Sequence, residues 1–381
     1  MKYRRFGKLD WDASVLGLGT MRLPANDDKS VNEAEAVRMV RSAIENGINY
    51  IDTAYNYHEG ASETILGKAF SAGYRDKVKI ASKSPIWMLD GPEDFDRILD
   101  EQLARLQTDH IDFYLMHGIG VWSWARIKEF SLLKRAEAAK AAGKIRHIGF
   151  SFHDRFESFK EIIDGYDKWE FCQIQYNYMD TAYQAGKKGL LYAHEKGIPV
   201  VVMEPILGGR LSNPPKKILD VINSHHIKRT PTDWAFQWIW SHPEVAVVLS
   251  GMSTLEQLED NIASADNSAP GLLSSSDHSM IDKAREIFAE RTLVPCTRCE
   301  YCMPCPSGVN IPGAFEYYNN GKIYDDLNGS RFLYEYNIAE DAQAGKCIGC
   351  GTCKGKCPQG IVIPSLMPKV HAVLCKGKPY E

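Results

Sequence analysis

Long apolar runs are missing from this chain of 381 residues. The longest, Ile198 to Met203, is closed by Glu204 and is far too short to span a bilayer. An excess of one charge is missing as well. The 45 Lys and Arg stand against 49 Asp and Glu, so a net charge of −4 gives no reason to expect nucleic acid or an anionic membrane as a partner. Met1-Lys2-Tyr3-Arg4-Arg5 is basic, but Gly7-Lys8-Leu9-Asp10 follows where a signal peptide needs an apolar run, so the expected location is cytoplasmic. Cysteine is nearly absent from the first three quarters, with Cys172 alone before residue 295. Without a secretory signal, the Cys-rich tail does not read as a disulfide framework. A complete Gly-x-Gly-x-x-Gly turn is lacking too, because Arg22 stands where the third glycine would follow Gly17-x-Gly19.

What is present is a rhythm. Apolar, β-branched stretches at 15–20, 50–53, 78–82, 112–116, 145–150, 171–175, 199–203 and 245–249 read as strands. Helical periodicity separates them at 31–46, 62–71, 93–106, 126–142, 155–163, 186–196 and 232–241, with a further helix at 254–264. Gly47, Gly143, Gly165 and Gly197 each stop a helix just before the next strand. Eight such units predict an α/β fold, a (β/α)8 TIM barrel with its site at the strands' C-terminal ends. Residues 1–14 read as a polar lead-in, a hairpin closing the barrel floor. The expected domains are a barrel over 1–276, a connecting helix over 277–291 and a small cysteine domain over 292–381.

Three successive strands end in an ionisable residue: Asp52, Lys83 and His117. A charge that closes an apolar strand must find a partner or face a cavity. Tyr57 follows on the loop after Asp52. A carbonyl that accepts hydride develops charge on oxygen and needs a positioned proton donor. Tyr57 can be that donor if Lys83 lowers its pKa, Asp52 can hold Lys83 charged, and His117 can orient the carbonyl. Singly, each residue reads as a cap, a surface group or a core histidine. Together on one rim they read as a catalytic set.

Tyr50-Ile51-Asp52-Thr53-Ala54-x-x-Tyr57, then Ser62-Glu63-x-x-Leu66-Gly67, Ser82-Lys83 and Leu115-Met116-His117, resemble the motifs of the aldo-keto reductases. Val15-Leu16-Gly17-Leu18-Gly19-Thr20-Met21 and Gln173-Ile174-Gln175-Tyr176 are similar to theirs also, so the resemblance covers about 1–265. It implies a catalytic tetrad of Asp52, Tyr57, Lys83 and His117, and a nicotinamide cofactor lying extended across the rim. For the nicotinamide it implies Ser151 and Gln173, with Phe152 in place of the usual Asn and His153 as a substitute. It places Met203 where a Tyr stacks on the ring, and puts Thr20, Met21, Asp52, Pro205 and Leu207 along the cofactor. Gly251 and Gln257 occupy the positions of a Lys and an Arg beside the adenosine 2′-phosphate, while Asn261 matches. Two missing cations remove the partners of that phosphate, which favours NADH over NADPH.

The tail carries Cys296-x2-Cys299-x2-Cys302-x2-Cys305-Pro306 and Cys347-x2-Cys350-x2-Cys353-x3-Cys357-Pro358. The second run has the bacterial ferredoxin spacing for a [4Fe–4S] cluster, and the first is one residue shorter in its last interval. Cys-Pro-Ser-Gly-Val-Asn-Ile-Pro at 305–312 and Cys-Pro-Gln-Gly-Ile-Val-Ile-Pro at 357–364 mark an internal duplication, hence two clusters. Two zinc sites are the competing reading, although zinc knuckles usually pair across longer gaps. Resemblance to two-cluster ferredoxins assigns Cys296, Cys299, Cys302 and Cys357 to one cluster, and Cys347, Cys350, Cys353 and Cys305 to the other. The aromatic 313–345 stretch reads as helices of an α-helical ferredoxin-like domain.

The chain as a whole resembles the iron–sulfur branch of the aldo-keto reductases. The expected function is an oxidoreductase that interconverts a small-molecule carbonyl and its alcohol by hydride transfer from NADH or NADPH, with the clusters structural or relaying electrons. Two alternatives stand beside it. A redox partner such as a ferredoxin feeds electrons through the clusters to a substrate in the barrel, or the protein is a redox-sensing nicotinamide binder. Trp87, Trp122 and Trp124 either wall the pocket or pack against the tail.

Overall fold

The computed structural model describes residues 1–380 apart from Lys29, Thr297, Cys299, Glu300 and Pro358. It forms two compact units, Met1–Gly208 with Thr232–Ser274, and Gly209–Pro231 with the chain from Ser275 onward. Residues 209–231, placed in the barrel by the continuity of the sequence, thus cluster with the cysteine-bearing unit.

The first unit opens with an antiparallel hairpin, β1 (Tyr3–Arg5) and β2 (Asp12–Ser14). Then β3 (Leu16–Gly19), β4 (Tyr50–Asp52), β5 (Lys79–Ser84), β6 (Ile111–Ile119), β7 (Ile145–Phe152), β8 (Phe171–Gln175), β9 (Val200–Met203) and β10 (Val245–Ser250) pair in parallel, and β10 closes on β3. The outer helices are α1 (Glu33–Glu45), α2 (Ala61–Ala69), α3 (Asp94–Leu106), α4 (Val121–Glu129), α5 (Leu132–Ala141), α6 (Phe156–Asp164) and α7 (Gly186–Glu195). The second unit contributes α8 (Lys216–Ser224), and the first unit resumes with α9 (Pro231–Trp240) and α10 (Leu255–Asp266).

The local signals act as their chemistry dictates. Asn32 caps α1 by accepting from Glu35 N, and Gly47 ends it at φ +93°, a conformation that L side chains rarely adopt. The single helix expected over 126–142 is two, α4 and α5, because Ser131 takes φ +53° between them.

The hairpin plugs the barrel floor. Phe6 is fully buried against Tyr50, Phe113 and Phe171, with ring centroids 4.9 Å apart for Phe6 and Phe113. These floor residues set a parity. Side chains alternate along a strand, so inward Tyr50, Ala81, Phe113, Leu115, Phe171 and Val201 bring Asp52, Lys83, His117, Gln173 and Met203 inward one or two steps later. Ser151, paired with Gln173, shares their face.

The second unit is helical: α8 packs against α11 (Ser275–Glu290), and α12 (Ile311–Ile323), α13 (Leu327–Asn337) and α14 (Ile363–Leu374) follow. Residues 209–231 are tied in by Arg210, which donates to Ser330 Oγ at 3.2 Å and stacks over Tyr324. The duplication has a structural form. Each Cys-Pro run leads through Val309-x-Ile311 or Ile361-x-Ile363 into a helix with proline in its first turn, where the missing N–H costs nothing. Those four aliphatics bury together with Phe315, Tyr318, Tyr334 and Met367. Of the other aromatic residues, Tyr324 is buried and Phe332 is exposed.

Candidate active site and cysteine centres

At the C-terminal mouth of the barrel, Lys83 is only 1% exposed. Its ammonium donates to Asp52 Oδ1 at 2.6 Å, to the Thr53 carbonyl at 2.6 Å and to Tyr57 Oη at 3.3 Å. The His117 ring stands edge-on to Tyr57, centroids 6.1 Å apart. The four residues of the expected set thus come together. Burial pulls Lys83 down, but Asp52 and Tyr57 hold it above its ordinary value, so it is a cation at neutral pH. Burial alone would neutralise Asp52, and Lys83 opposes it. At 2.6 Å the ionised pair is the arrangement that leaves neither charge uncompensated.

Tyr57 departs from the expectation. Lys83 was expected to lower it. Burial instead raises it above the ordinary phenol value, with Lys83 only partly offsetting the rise. Tyr57 therefore keeps its proton, which an acid must have, and Lys83 acts on the phenolate as it forms. His117 is lowered well below its usual range by burial, Lys83 and His153, so its imidazole is neutral. Its Nδ1 is buried with no hydrogen-bond partner among the described residues.

A polar layer beneath fixes Lys83. Gln102 of α3 donates to Glu63, to Ser82 Oγ and to the Lys83 carbonyl, and accepts from Tyr114 Oη at 2.8 Å. Gln102 was missed in the sequence. Its signal is a lone amide on the buried stripe Phe95, Ile98, Leu99, Gln102, Leu106 of α3, where a polar group must have partners.

Of the expected cofactor residues, Ser151, Gln173 and Met203 share the inward face near the ends of β7, β8 and β9. Gln173 Oε1 is buried without a hydrogen-bond partner among the described residues, an acceptor suited to a carboxamide N–H. Ser151 Oγ accepts from Gly118 N at 2.7 Å. Phe152 faces the opposite way and packs on Phe159 of α6, centroids 5.0 Å apart, so parity denies it the role of an amide. His153 is exposed, near Gly118. Met203 ends β9, and Pro205 and the left-handed Leu207 follow it. Thr20 is buried, donating to the Asp52 carbonyl, while Met21 is exposed. Asn261 is buried and donates to Ser250 Oγ at 3.0 Å. Gln257 Oε1 accepts from Ser253 N at the start of α10.

Arg22 is a further residue the motifs did not flag as functional. Its side chain lies across Gly251, 3.4 Å from where a Cβ would stand, and its Nη2 is 3.0 Å from the same point on Gly208. Its guanidinium makes no hydrogen bond or ion pair among the described residues. The missing third glycine of the Gly17 turn was its only trace in the sequence.

The three tryptophans divide. The Trp87 ring lies 4.8 Å from His117 and is 46% exposed, walling the cleft. Trp122 is exposed on α4, whereas Trp124 is buried beside Trp169.

In the second unit the cysteines surround two cavities. Cys296, Cys302 and Cys357 line one with Ile311, Phe315 and Ile363. Cys305, Cys347, Cys350 and Cys353 line another with Val309, Ile311 and Ile363. Cys299 lies outside the described residues. Among those described, no three His, Cys, Asp or Glu side chains converge on a point suited to one ion. Sulfurs set around an apolar-walled cavity suit a cluster of several irons, whose thiolate shell is wider than that of a single zinc. Cys172 is buried in β8, which pushes its thiol well up, and Cys375 is half-buried with its thiol 3.5 Å from Gln343 Oε1.

Comparison with known proteins agrees with this geometry. The family model described as aldo/keto reductase family matches residues 15–286, and one described as 4Fe-4S dicluster domain matches 295–362. The oxidoreductase YrpG of Bacillus subtilis is 30% identical over 304 residues, covering 69% of this chain and 90% of that one. Methylglyoxal reductase YeaE of Escherichia coli is 28% identical over 286 residues, 72% of this chain and 92% of its own. Among solved structures, the holo form of an aldo-keto reductase from Bacillus halodurans superposes with TM-score 0.61 at 27% identity, covering 74% of this chain and 96% of that one. An aldo-keto reductase from Klebsiella pneumoniae in complex with NADPH gives 0.60 at 27% identity, covering 74% and 94%. Among the described residues, no helix is long and apolar enough to cross a membrane. With the family model covering most of its length and the same rim of residues in place, this chain belongs to the aldo-keto reductase family, an oxidoreductase with a 4Fe-4S dicluster domain in its C-terminal part.

Proposed function

We infer that the protein reduces a small-molecule carbonyl to its alcohol, or runs the reverse, by hydride transfer from a nicotinamide dinucleotide. The observation that carries this reading is the buried Lys83 ammonium held between Asp52 and Tyr57 Oη. The nicotinamide supplies the hydride when bound. Tyr57 gives its proton to the carbonyl oxygen as charge develops there, and Lys83 stabilises the phenolate left behind. A neutral His117 donates one N–H to the same oxygen and fixes its direction, and Trp87 covers the imidazole from the solvent side.

Gln173 and Ser151 are proposed to hold the carboxamide, with Met203 packed against the ring. Thr20, Met21, Asp52, Pro205, Leu207, Gly251, Gln257 and Asn261 are proposed to flank the rest of the dinucleotide. Arg22 supplies a guanidinium to its pyrophosphate. With neither Gly251 nor Gln257 charged beside the adenosine ribose, NADH is the preferred donor. A crossed pair of [4Fe–4S] clusters is proposed for the tail: Cys296, Cys299, Cys302 and Cys357 on one, and Cys305, Cys347, Cys350 and Cys353 on the other. The two cavity linings support that division.

The test is anaerobic mixing of the purified protein with NADH, then NADPH, with and without a panel of carbonyls. Nicotinamide oxidation that requires a carbonyl is expected. No oxidation of either nucleotide across the panel would refute the reading.

A further inference from the structure

The net charge of the chain hides an asymmetry. Residues 342–380 contain six lysines, Lys346, Lys354, Lys356, Lys369, Lys376 and Lys378, and no Asp, Glu or Arg. The second cysteine run lies inside this basic stretch, whereas residues 290–305 around the first run are balanced, Glu290 and Glu300 against Arg291 and Arg298. Arg298 is moreover paired with Glu316 at 3.2 Å.

The structure puts those charges on a lip. Ile348 lines the second cavity and is nevertheless 74% exposed. Cys350 on the same cavity is exposed, and Lys346, Lys354 and Lys356 of the same loop are exposed around it. Lys354 and Lys356 have no ion pair among the described residues, and Lys346 has only a loose one to the exposed Glu340 at 3.6 Å. Ile348 is an apolar side chain in water at the edge of a sulfur-lined cavity, on a loop with three exposed lysines of which two have no ion pair among the described residues. The loop has the make-up of a small interface: a desolvated apolar centre and a charged rim that steers a partner of opposite sign.

We propose that the 346–356 lip of the second cysteine centre, Ile348 with Lys346, Lys354 and Lys356, is the docking surface for an acidic one-electron carrier protein. The inference rests on reading that centre as an iron–sulfur site and deepens it. The carrier is selected by charge, and by a site whose sulfur-bearing loop reaches the surface. Among the described residues that line the first cavity the one cation, Arg298, is paired with Glu316.

The experiment uses the full-length, cluster-loaded protein, with a plant-type [2Fe–2S] ferredoxin and a flavodoxin as acidic probes. Binding is measured by calorimetry at low and high salt. Binding of at least one probe at low salt is expected, weakened at high salt as rim charges are screened. K354E/K356E and, separately, Ile348→Asp should each weaken it at least tenfold, and Lys216→Glu on α8 should not. The visible cluster band of every variant is recorded, so that a lost cluster is not taken for a lost contact. Loaded protein that ignores both probes, or binding untouched by K354E/K356E, overturns the docking surface alone. Equal, lysine-dependent binding to heparin or to anionic phosphatidylserine vesicles overturns the choice of partner. Absence of iron and of the visible band overturns the cluster reading itself.

Discussion

At Tyr57 two opposing influences meet in one hydroxyl group. Burial raises its pKa and Lys83 lowers it, and burial prevails. His117 is shifted the other way, below its usual range. The sign of each sets a pH profile. Tyr57 remains protonated up to and beyond pH 10, and His117 remains neutral down through pH 6.5, so kcat/KM for carbonyl reduction should be level from about pH 6.5 to 9. An acid limb centred near 6.5 would mean that His117 is not shielded as described. Tyr57→Phe removes the proposed proton donor but not the ring, and should lower kcat by roughly 10²–10⁴-fold with nucleotide affinity unchanged by fluorescence titration. Arg22→Ala should weaken nucleotide binding by roughly 10- to 150-fold, the loss of one charge-assisted contact of about 1.5–3 kcal/mol, with the cluster band intact. An unchanged Kd would remove Arg22 from the site.

Elements hold these groups through close approaches that the motifs record only as letters. Gly67 of α2 is one. A Cβ there would stand 2.4 Å from the Arg105 carbonyl of α3, so the helices cross at a point where only hydrogen fits. Helix propensity alone would favour alanine by about 1 kcal/mol. Gly67→Ala should instead destabilise by about 1–3 kcal/mol in thermal unfolding, because α2 must back away from the helix that carries Gln102. Retained stability would show that the crossing is slack. The period-2 pattern of the strands was legible because burial on one face is a local demand. The break between α4 and α5 was not, since the residue that turns the chain is an ordinary Ser131, without glycine or proline to announce it.

For the whole molecule, the tetrad and the cysteine centres belong to different compact units. Cys353→Ser, at the second cavity, should remove about half of the iron and of the visible absorbance if each cavity holds its own cluster. It should leave nucleotide binding by the barrel in place. Loss of all iron would mean that the centres form only together.

The amino-acid order by itself determined the eight-fold strand and helix rhythm, the residues that end β4, β5 and β6, and the two spaced cysteine runs. Each is written in short-range patterns: alternation, helical period, ligand spacing. The tertiary structure alone decided what depends on neighbours far apart in the chain. It turned Phe152 away from the mouth and buried Trp124. It brought Arg22 across Gly208 and Gly251, and joined 209–231 to the cysteine-bearing unit. It divided the described cysteines of the two runs between two cavities. A side chain's charge, burial and partners are properties of the space around it, and that space is made by segments whose approach no local pattern encodes.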